Sequence, residues 1–108
     1  MGAVGNFQIV EFAHTLAAED INEDGYYIYT MTAPSGTYIL AAGFLPYLPS
    51  GSTAYLRASY PSTSTGAQSS DGTHWTMIFS GLEASTGLNM WAVCAEMGDS
   101  VSYVENNV

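Results

Sequence analysis

The chain has almost no positive charge. Its 108 residues include one arginine, Arg57, and no lysine, against ten acidic residues. The resulting formal net charge of −9 repels phosphate groups, so we expect no nucleic-acid partner. The same charge argues against binding to anionic membrane surfaces. A basic protein surface or bound cations remain compatible with it.

Thiols and long apolar runs are also scarce. Cys94 is the single cysteine, so no disulfide can form within the chain. No stretch approaches the roughly 18 apolar residues of a membrane-spanning helix. Residues 1–20 lack the basic start and apolar run of a signal peptide, so we expect a protein made and kept in the cytoplasm, or one that leaves by another route.

What the sequence does contain is alternation. Residues 87–96, GLNMWAVCAE, alternate between two faces with no interior glycine or proline, which is typical of a strand. One face carries Leu88, Met90, Ala92 and Cys94. On this apolar face we interpret Cys94 as a small buried hydrophobe, not a reactive group.

Further segments of this kind, separated by turn residues, predict an all-β chain. The predicted strands are 26–32, 37–44, 54–60, 75–79 and 88–96, with an edge strand at 101–104, and the apolar stretch 7–12 is either a further strand or a docking arm. A helical turn is expected only within 13–19, and the small polar residues of 61–73 predict a long exposed loop. Residues 1–108 therefore predict one antiparallel β-sandwich, jelly-roll or immunoglobulin-like, with about six to eight short strands; a small barrel is the alternative.

Residues 20–25, DINEDG, match the opening of a calcium-binding loop. Asp20, Asn22 and Asp24 would supply the oxygen ligands that a hard cation prefers. The twelfth position is Met31, however, where a helix–loop–helix site needs a bidentate glutamate. We therefore favour an acidic turn that enters a strand and expect no cofactor, with Ca²⁺ at these three residues as the alternative.

No set of residues predicts catalysis. His14 and His74 are far apart in the sequence, and no Gly-x-Ser-x-Gly elbow is present. A thiol on an apolar strand face has a raised pKa and is inert. The acidic pairs near residue 20 lie in an exposed turn, where their pKa values would not be split as glycosidase chemistry requires. We expect a non-enzymatic protein.

The tyrosines are too numerous to lie all inward, because each phenolic hydroxyl needs a partner. Along 54–60 we expect Ala54, Leu56, Ala58 and Tyr60 on one face. Tyr55 and Arg57 would then form an exposed patch suited to a protein interface or a sugar; equally, half of the tyrosines would simply rim the sandwich. With the apolar segment 1–12 as an interaction arm, the predicted interface residues are Phe7, Ile9, Phe12, Tyr55, Arg57 and Tyr60.

Three pieces of the chain carry short motifs in a fixed order. Residues 33–44 read APSGTYILAAGF, 58–62 and 74–77 read ASYPS and HWTM, and 91–95 read WAVCA. In this order they resemble a β-sandwich module of secreted actinobacterial proteins and phage virion proteins. That module has a first cysteine where this chain has Ala33, so the disulfide that the resemblance would imply cannot form. The loss favours the phage members, which assemble from the cytosol.

The resemblance implies a virion protein and carries no catalytic residues. We expect a structural protein of a tailed bacteriophage, a capsid decoration or cementing subunit located in the virion. Residues 1–12 and the outer strand faces would contact the major capsid protein or another virion protein, with 61–73 pointing outward. The apolar arm also predicts a homo-oligomer, such as a trimer.

Two alternatives stay open at this point. One is a tail-fibre or receptor-binding module that contacts host glycan through Tyr55, Tyr60, Trp75 and the 61–73 loop. The other is a calcium-dependent carbohydrate-binding or adhesion domain that uses the acidic turn at residues 20–25.

Overall fold

The computed structural model describes residues 4–97 and 104–107, which form two three-stranded antiparallel sheets. Sheet A has the strand order β1-β6-β3, with β1 at Val4–Thr15, β6 at Gly87–Met97 and β3 at Thr37–Tyr47. Sheet B has the order β2-β5-β4, with β2 at Tyr26–Thr32, β5 at His74–Ser80 and β4 at Tyr55–Ser62. The predicted all-β antiparallel sandwich is therefore confirmed.

The predicted strands are present, but several are longer than their sequence signals. β1 was expected at 7–12 and continues through Thr15. The helical turn expected within 13–19 is consequently displaced to a single 3-10 turn at Ala18–Asp20. Residues 101–103 of the expected edge strand lie outside the described residues.

The interior is built from alternate residues of β6 in sheet A and of β2 and β5 in sheet B. Leu88, Met90, Ala92 and Cys94 are fully buried, as the alternation of this segment predicted. Sheet B contributes a matching apolar face, which includes Tyr27, Met31, Met77 and Phe79. Cys94 is a free cysteine buried among these apolar side chains, which confirms its interpretation as a buried hydrophobe, and burial raises the pKa of its thiol.

Aromatic pairs join the two sheets. The rings of Phe44 on β3 and Phe79 on β5 meet edge to face with centroids 5.0 Å apart. Phe12 on β1 and Tyr29 on β2 lie 5.8 Å apart. Each pair links one strand of sheet A to one of sheet B, at distances typical of favourable aromatic contacts.

A β-bulge at Arg57 decides which side chains of β4 share a face. Leu56 lies opposite Phe79 of β5, and Ala58 lies opposite Ile78, the residue adjacent to Phe79. Arg57 is thus an extra residue that reverses the alternation beyond it. Leu56 faces the interior side, whereas Ala58 and Tyr60 face outward. The prediction that these three share one face was wrong because it assumed an unbroken period of two.

The polar segment after β4 folds back onto sheet B. The Thr63 amide donates to the Ala67 carbonyl at 2.7 Å, and the Tyr60 hydroxyl donates to the Gly66 carbonyl at 2.6 Å. Beneath this turn Thr76 is fully buried, although it lies on the outward side of β5. Several side chains of the predicted exposed loop do face solvent, but its first half is a hydrogen-bonded cover for the sheet.

Candidate binding surfaces

The outer face of sheet A exposes large apolar side chains. Phe7 lies opposite Ala95 and Ile9 opposite Val93. Because directly opposed residues of antiparallel strands point to the same side, these side chains share one face. Phe7 is 63% and Ile9 71% exposed, so neither is covered within the chain.

The same face continues across the central strand onto β3. Leu45 lies opposite Asn89 and is 46% exposed. We call this surface the apolar face and define it by Phe7, Ile9, Tyr38, Ala41, Leu45, Tyr47, Trp91 and Val93. Glu11, opposite Trp91, is the single charged side chain that the described strands place on this side of sheet A.

The residues of this face on β3 and β6 were not among those predicted from the sequence. A usable signal exists in β6, where both alternating sets are apolar: Trp91, Val93 and Ala95 occupy the positions between the buried ones. A strand of an antiparallel sheet with one solvated face normally alternates apolar with polar residues. Two apolar faces on one strand therefore indicate either a second packed layer or an exposed docking surface.

Phe12 does not join the apolar face. It lies opposite Met90, which is fully buried, so its ring points between the sheets. The segment predicted as an interaction arm is, from Val4 onward, the edge strand β1 paired with β6. Phe7 and Ile9 are thus presented by a fixed strand, with Phe12 on its opposite side.

The predicted tyrosine–arginine patch lies on the outer face of sheet B. Tyr55 is 61% exposed, and the guanidinium carbon of Arg57 lies 5.6 Å from the centroid of the Tyr26 ring. An exposed cation–π contact of this kind contributes roughly 0.5–1 kcal/mol. Together with Tyr60, these residues occupy the side of the molecule opposite to Phe7 and Ile9. The six predicted interface residues therefore do not form one surface.

The residues proposed to hold a glycan also lie on different faces of sheet B. Trp75 lies opposite the buried Met31, on the interior side of sheet B, and its indole N–H donates to Ser59 Oγ at 2.7 Å. Tyr60 points outward and uses its hydroxyl within the 63–69 turn. Tyr55, Tyr60 and Trp75 thus provide no common platform on which a sugar ring could stack.

In the acidic turn, the side-chain oxygens of two of the three predicted ligands, Asp20 and Asn22, already accept backbone hydrogen bonds. Asn22 Oδ1 accepts from the amides of Asp24 and Tyr26, both at 3.0 Å, which occupies both lone pairs of a carbonyl oxygen. Asp20 Oδ2 accepts from the Ala17 amide at 2.7 Å and from His14 Nε2 at 2.8 Å. Over residues 4–97 and 104–107, no three acidic, histidine or cysteine side chains come together as a metal cluster. A calcium ion would therefore have to displace the bonds that shape this turn.

Comparison with known proteins gives no match to a family model, to a curated protein or to a solved structure. Within the described residues, no helix is long and apolar enough to cross a membrane. Function is therefore inferred from the surfaces described above.

Proposed function

We propose that this chain is a non-enzymatic structural subunit that docks onto a larger protein assembly through the apolar face of sheet A. In its more specific form, the proposal is a capsid decoration subunit of a tailed bacteriophage, bound to the major capsid protein or another virion protein. The observation that carries the proposal is the exposure of Phe7, Ile9, Leu45 and Tyr47 on one continuous sheet face.

The free-energy cost of exposing apolar surface to water supports a partner for this face. Monomeric proteins rarely expose contiguous apolar patches beyond roughly 300–600 Å², and larger ones usually mark interaction sites. Burying apolar surface contributes about 25 cal/mol per Å², and a specific interface typically covers about 800 Å² of each partner. A flat sheet face with one charge at Glu11 suits a partner of similar flatness and low charge.

The assignment to a virion is supported by the sequence motifs of residues 33–96. Their order resembles a module of phage virion proteins, and Ala33 replaces the cysteine on which a secreted member would rely. A net charge of −9 keeps unbound subunits apart in solution. The apolar face can still form a complex because charge is concentrated elsewhere on the surface.

The proposal is tested by adding the purified protein to undecorated phage heads and sedimenting the heads. Ile9→Glu places a charge on the apolar face, at a side chain that is 71% exposed on its edge strand β1. Ile28→Glu is the matched control, since Ile28 is also an exposed isoleucine on an edge strand, at 48% exposure, but belongs to sheet B. We expect the wild-type protein and Ile28→Glu to sediment with heads and Ile9→Glu to remain in the supernatant.

Two results would overturn the decoration role. One is the absence of wild-type protein from the sedimented heads, and the other is equal binding by Ile9→Glu. Light scattering of the free protein tests whether the apolar face instead joins copies of this chain. That conclusion would follow if the wild-type protein forms a defined oligomer, Ile9→Glu dissociates it, and the wild-type protein does not bind to heads.

A further inference from the structure

One edge of sheet A is a long strand with a free side. Over the described residues, β1 pairs with β6 alone, and this pairing is unbroken from Phe7 to Thr15. Leu16, the residue after β1, donates its amide to the Thr86 carbonyl and accepts the Ser85 amide, so both of its backbone groups point toward the chain that leads into β6. Because these directions alternate along a strand, the odd-numbered residues of 7–15 direct their N–H and C=O groups away from the sheet.

The edge strands β3 and β4 carry features that block pairing with another chain. β3 has a register shift between Ile39 and Ala41, and Pro46 lies within it. β4 has the bulge at Arg57, and Pro61 lies within it. A bulge twists an edge out of register, and a proline has no N–H to donate, so both features protect an edge against further strands.

The remaining edge strand, β2, is shorter and is occupied at one end. Tyr26 donates its amide to Asn22 Oδ1 and accepts the Asn22 amide at its carbonyl, so the preceding turn uses both backbone groups of the first residue of β2. β1 has no such protection within 7–15. This stretch contains no proline, lysine or arginine, and Glu11 is its one carboxylate. Of the four described edges, β1 is therefore the one that is most open to another strand.

We propose that β1 pairs antiparallel with β1 of a second copy of this chain, so that two copies of sheet A join into one six-stranded sheet. A two-fold axis perpendicular to the sheet relates the copies. It sets interior-facing residues beside interior-facing ones and keeps both apolar faces on the same side. The pairing satisfies the free backbone groups of both edges with about eight hydrogen bonds. This dimer goes beyond the docking of the apolar face, does not depend on it, and leaves that face accessible.

The charges near β1 select the direction and the register of this pairing. In a register centred on Val10, Glu11 lies beside Ile9 of the second copy. A register centred on Glu11 would set two carboxylates against each other, which is unfavourable.

The acidic turn that follows β1 also favours the antiparallel direction. With the pairing centred on Val10 and about 3.3 Å per residue, the Thr15 positions of the two copies are roughly 33 Å apart. This separation is several times the Debye length of about 8 Å at physiological salt, so the two acidic turns repel each other little. A parallel pair would bring the turns side by side. A second copy thus fits this edge even though each chain has a net charge of −9.

The first test is sedimentation equilibrium of the free protein with charges introduced at Ile9. The paired edge is smaller than a standard interface, so we expect a reversible dimer with a dissociation constant in the micromolar range. Ile9→Glu sets like charges opposite Glu11 at two symmetric places and should weaken the dimer at least about tenfold. Ile9→Lys sets opposite charges there and should dimerise at least as well as the wild type. Leu45→Glu, on the apolar face but away from the edge, is the control that should leave the dimer unchanged.

The second test is cross-linking in a Cys94→Ala background. In the register centred on Val10, this residue lies opposite itself in a pair without hydrogen bonds, with Cα atoms about 4.5 Å apart, which is within the range of a disulfide. The matched control is Val93→Cys, on the apolar face of the central strand, where two copies meet only if their apolar faces stack. Mild oxidation should link the Val10→Cys variant into a covalent dimer and leave the Val93→Cys variant monomeric on a denaturing gel.

Three outcomes would overturn the pairing of two β1 edges. They are a monomer at all concentrations up to about 1 mM, equal weakening by Ile9→Glu and Ile9→Lys, and cross-linking of the Val93→Cys variant in place of Val10→Cys. The second and third would indicate stacked apolar faces, which either charge at Ile9 disrupts. All of these measurements use the free protein, and Ile9→Lys should still dimerise while failing to bind phage heads. Failure of the edge pairing is therefore distinguishable from failure of the decoration role.

Discussion

The Nε2 atom of His14 lies 2.8 Å from the Oδ2 atom of Asp20. This contact ties the C-terminal end of β1 to the 3-10 turn that follows it. The same carboxylate oxygen accepts the Ala17 amide. These two contacts, with the backbone bond the stronger cause, hold the pKa of Asp20 below its ordinary value. One side chain thus joins the end of β1 to the turn that follows it.

Asp20→Ala is therefore expected to lower the melting temperature at neutral pH, and to lower it less in acid. A carboxyl whose folded-state pKa is depressed stabilises the fold above its unfolded pKa of about 4, and this stabilisation is lost as pH falls through the folded value. Thermal melts between neutral pH and about pH 2 check this. Asp24→Ala, in the same turn, is the control, and a difference between Asp20→Ala and wild type that stays constant in acid would contradict the prediction.

Gly81→Ala is expected to destabilise the fold far more than Gly25→Ala. Both glycines have positive φ, +80° and +82°, but a Cβ atom at Gly81 would lie 2.5 Å from the Thr53 carbonyl oxygen, while one at Gly25 meets nothing within 4 Å. Backbone strain alone costs about 1–2 kcal/mol, and the added clash should bring Gly81→Ala to about 3 kcal/mol or more. Urea denaturation measures both, and similar losses would refute the close approach at Gly81.

Thr76→Val is expected to cost about 1–3 kcal/mol, although the two side chains have similar shapes. Thr76 Oγ1 lies 2.7 Å from Ser62 Oγ and 2.8 Å from Thr30 Oγ1, so the change removes the Thr76 partner of Thr30 Oγ1 and leaves Ser62 Oγ with only the Thr63 carbonyl. Thr32→Val, at an exposed outer position of β2, should change stability by less than about 0.5 kcal/mol. The free energies of unfolding of the two variants test this prediction. Equal values would mean that the hydrogen bonds of the Thr76 hydroxyl with Thr30 and Ser62 do not stabilise the fold.

Cys94 is expected to react with a maleimide at least roughly a hundredfold more slowly in the native protein than in denaturant. The side chain is fully buried, and burial raises the pKa of the thiol, so both access and the thiolate fraction are low. Thr32→Cys in a Cys94→Ala background provides an exposed thiol for comparison. Rapid labelling of native Cys94 would show that the two sheets do not enclose it.

The strands were predictable because their signals are local. Alternation in residues 87–96 and the turn residues between segments depend only on neighbours along the chain, and the buried set Leu88 to Cys94 follows from a period of two. The bulge at Arg57 escaped this reasoning because one inserted residue changes the faces of β4 without any distinct residue type to mark it. The apolar face was only half anticipated: Phe7 and Ile9 were named, while Leu45 and Trp91 were not.

The sequence by itself determined an acidic, antiparallel β chain with one buried thiol, because composition and alternation act residue by residue. Only the tertiary structure decided which exposed side chains lie together. Register between strands placed Phe7 opposite Ala95, Ile9 opposite Val93 and Leu45 on the same face, and the packing of the two sheets stacked the ring of His14 on that of Tyr27. Such pairings arise from contacts between residues far apart in the chain, whose relative positions are fixed only when the sheets pack.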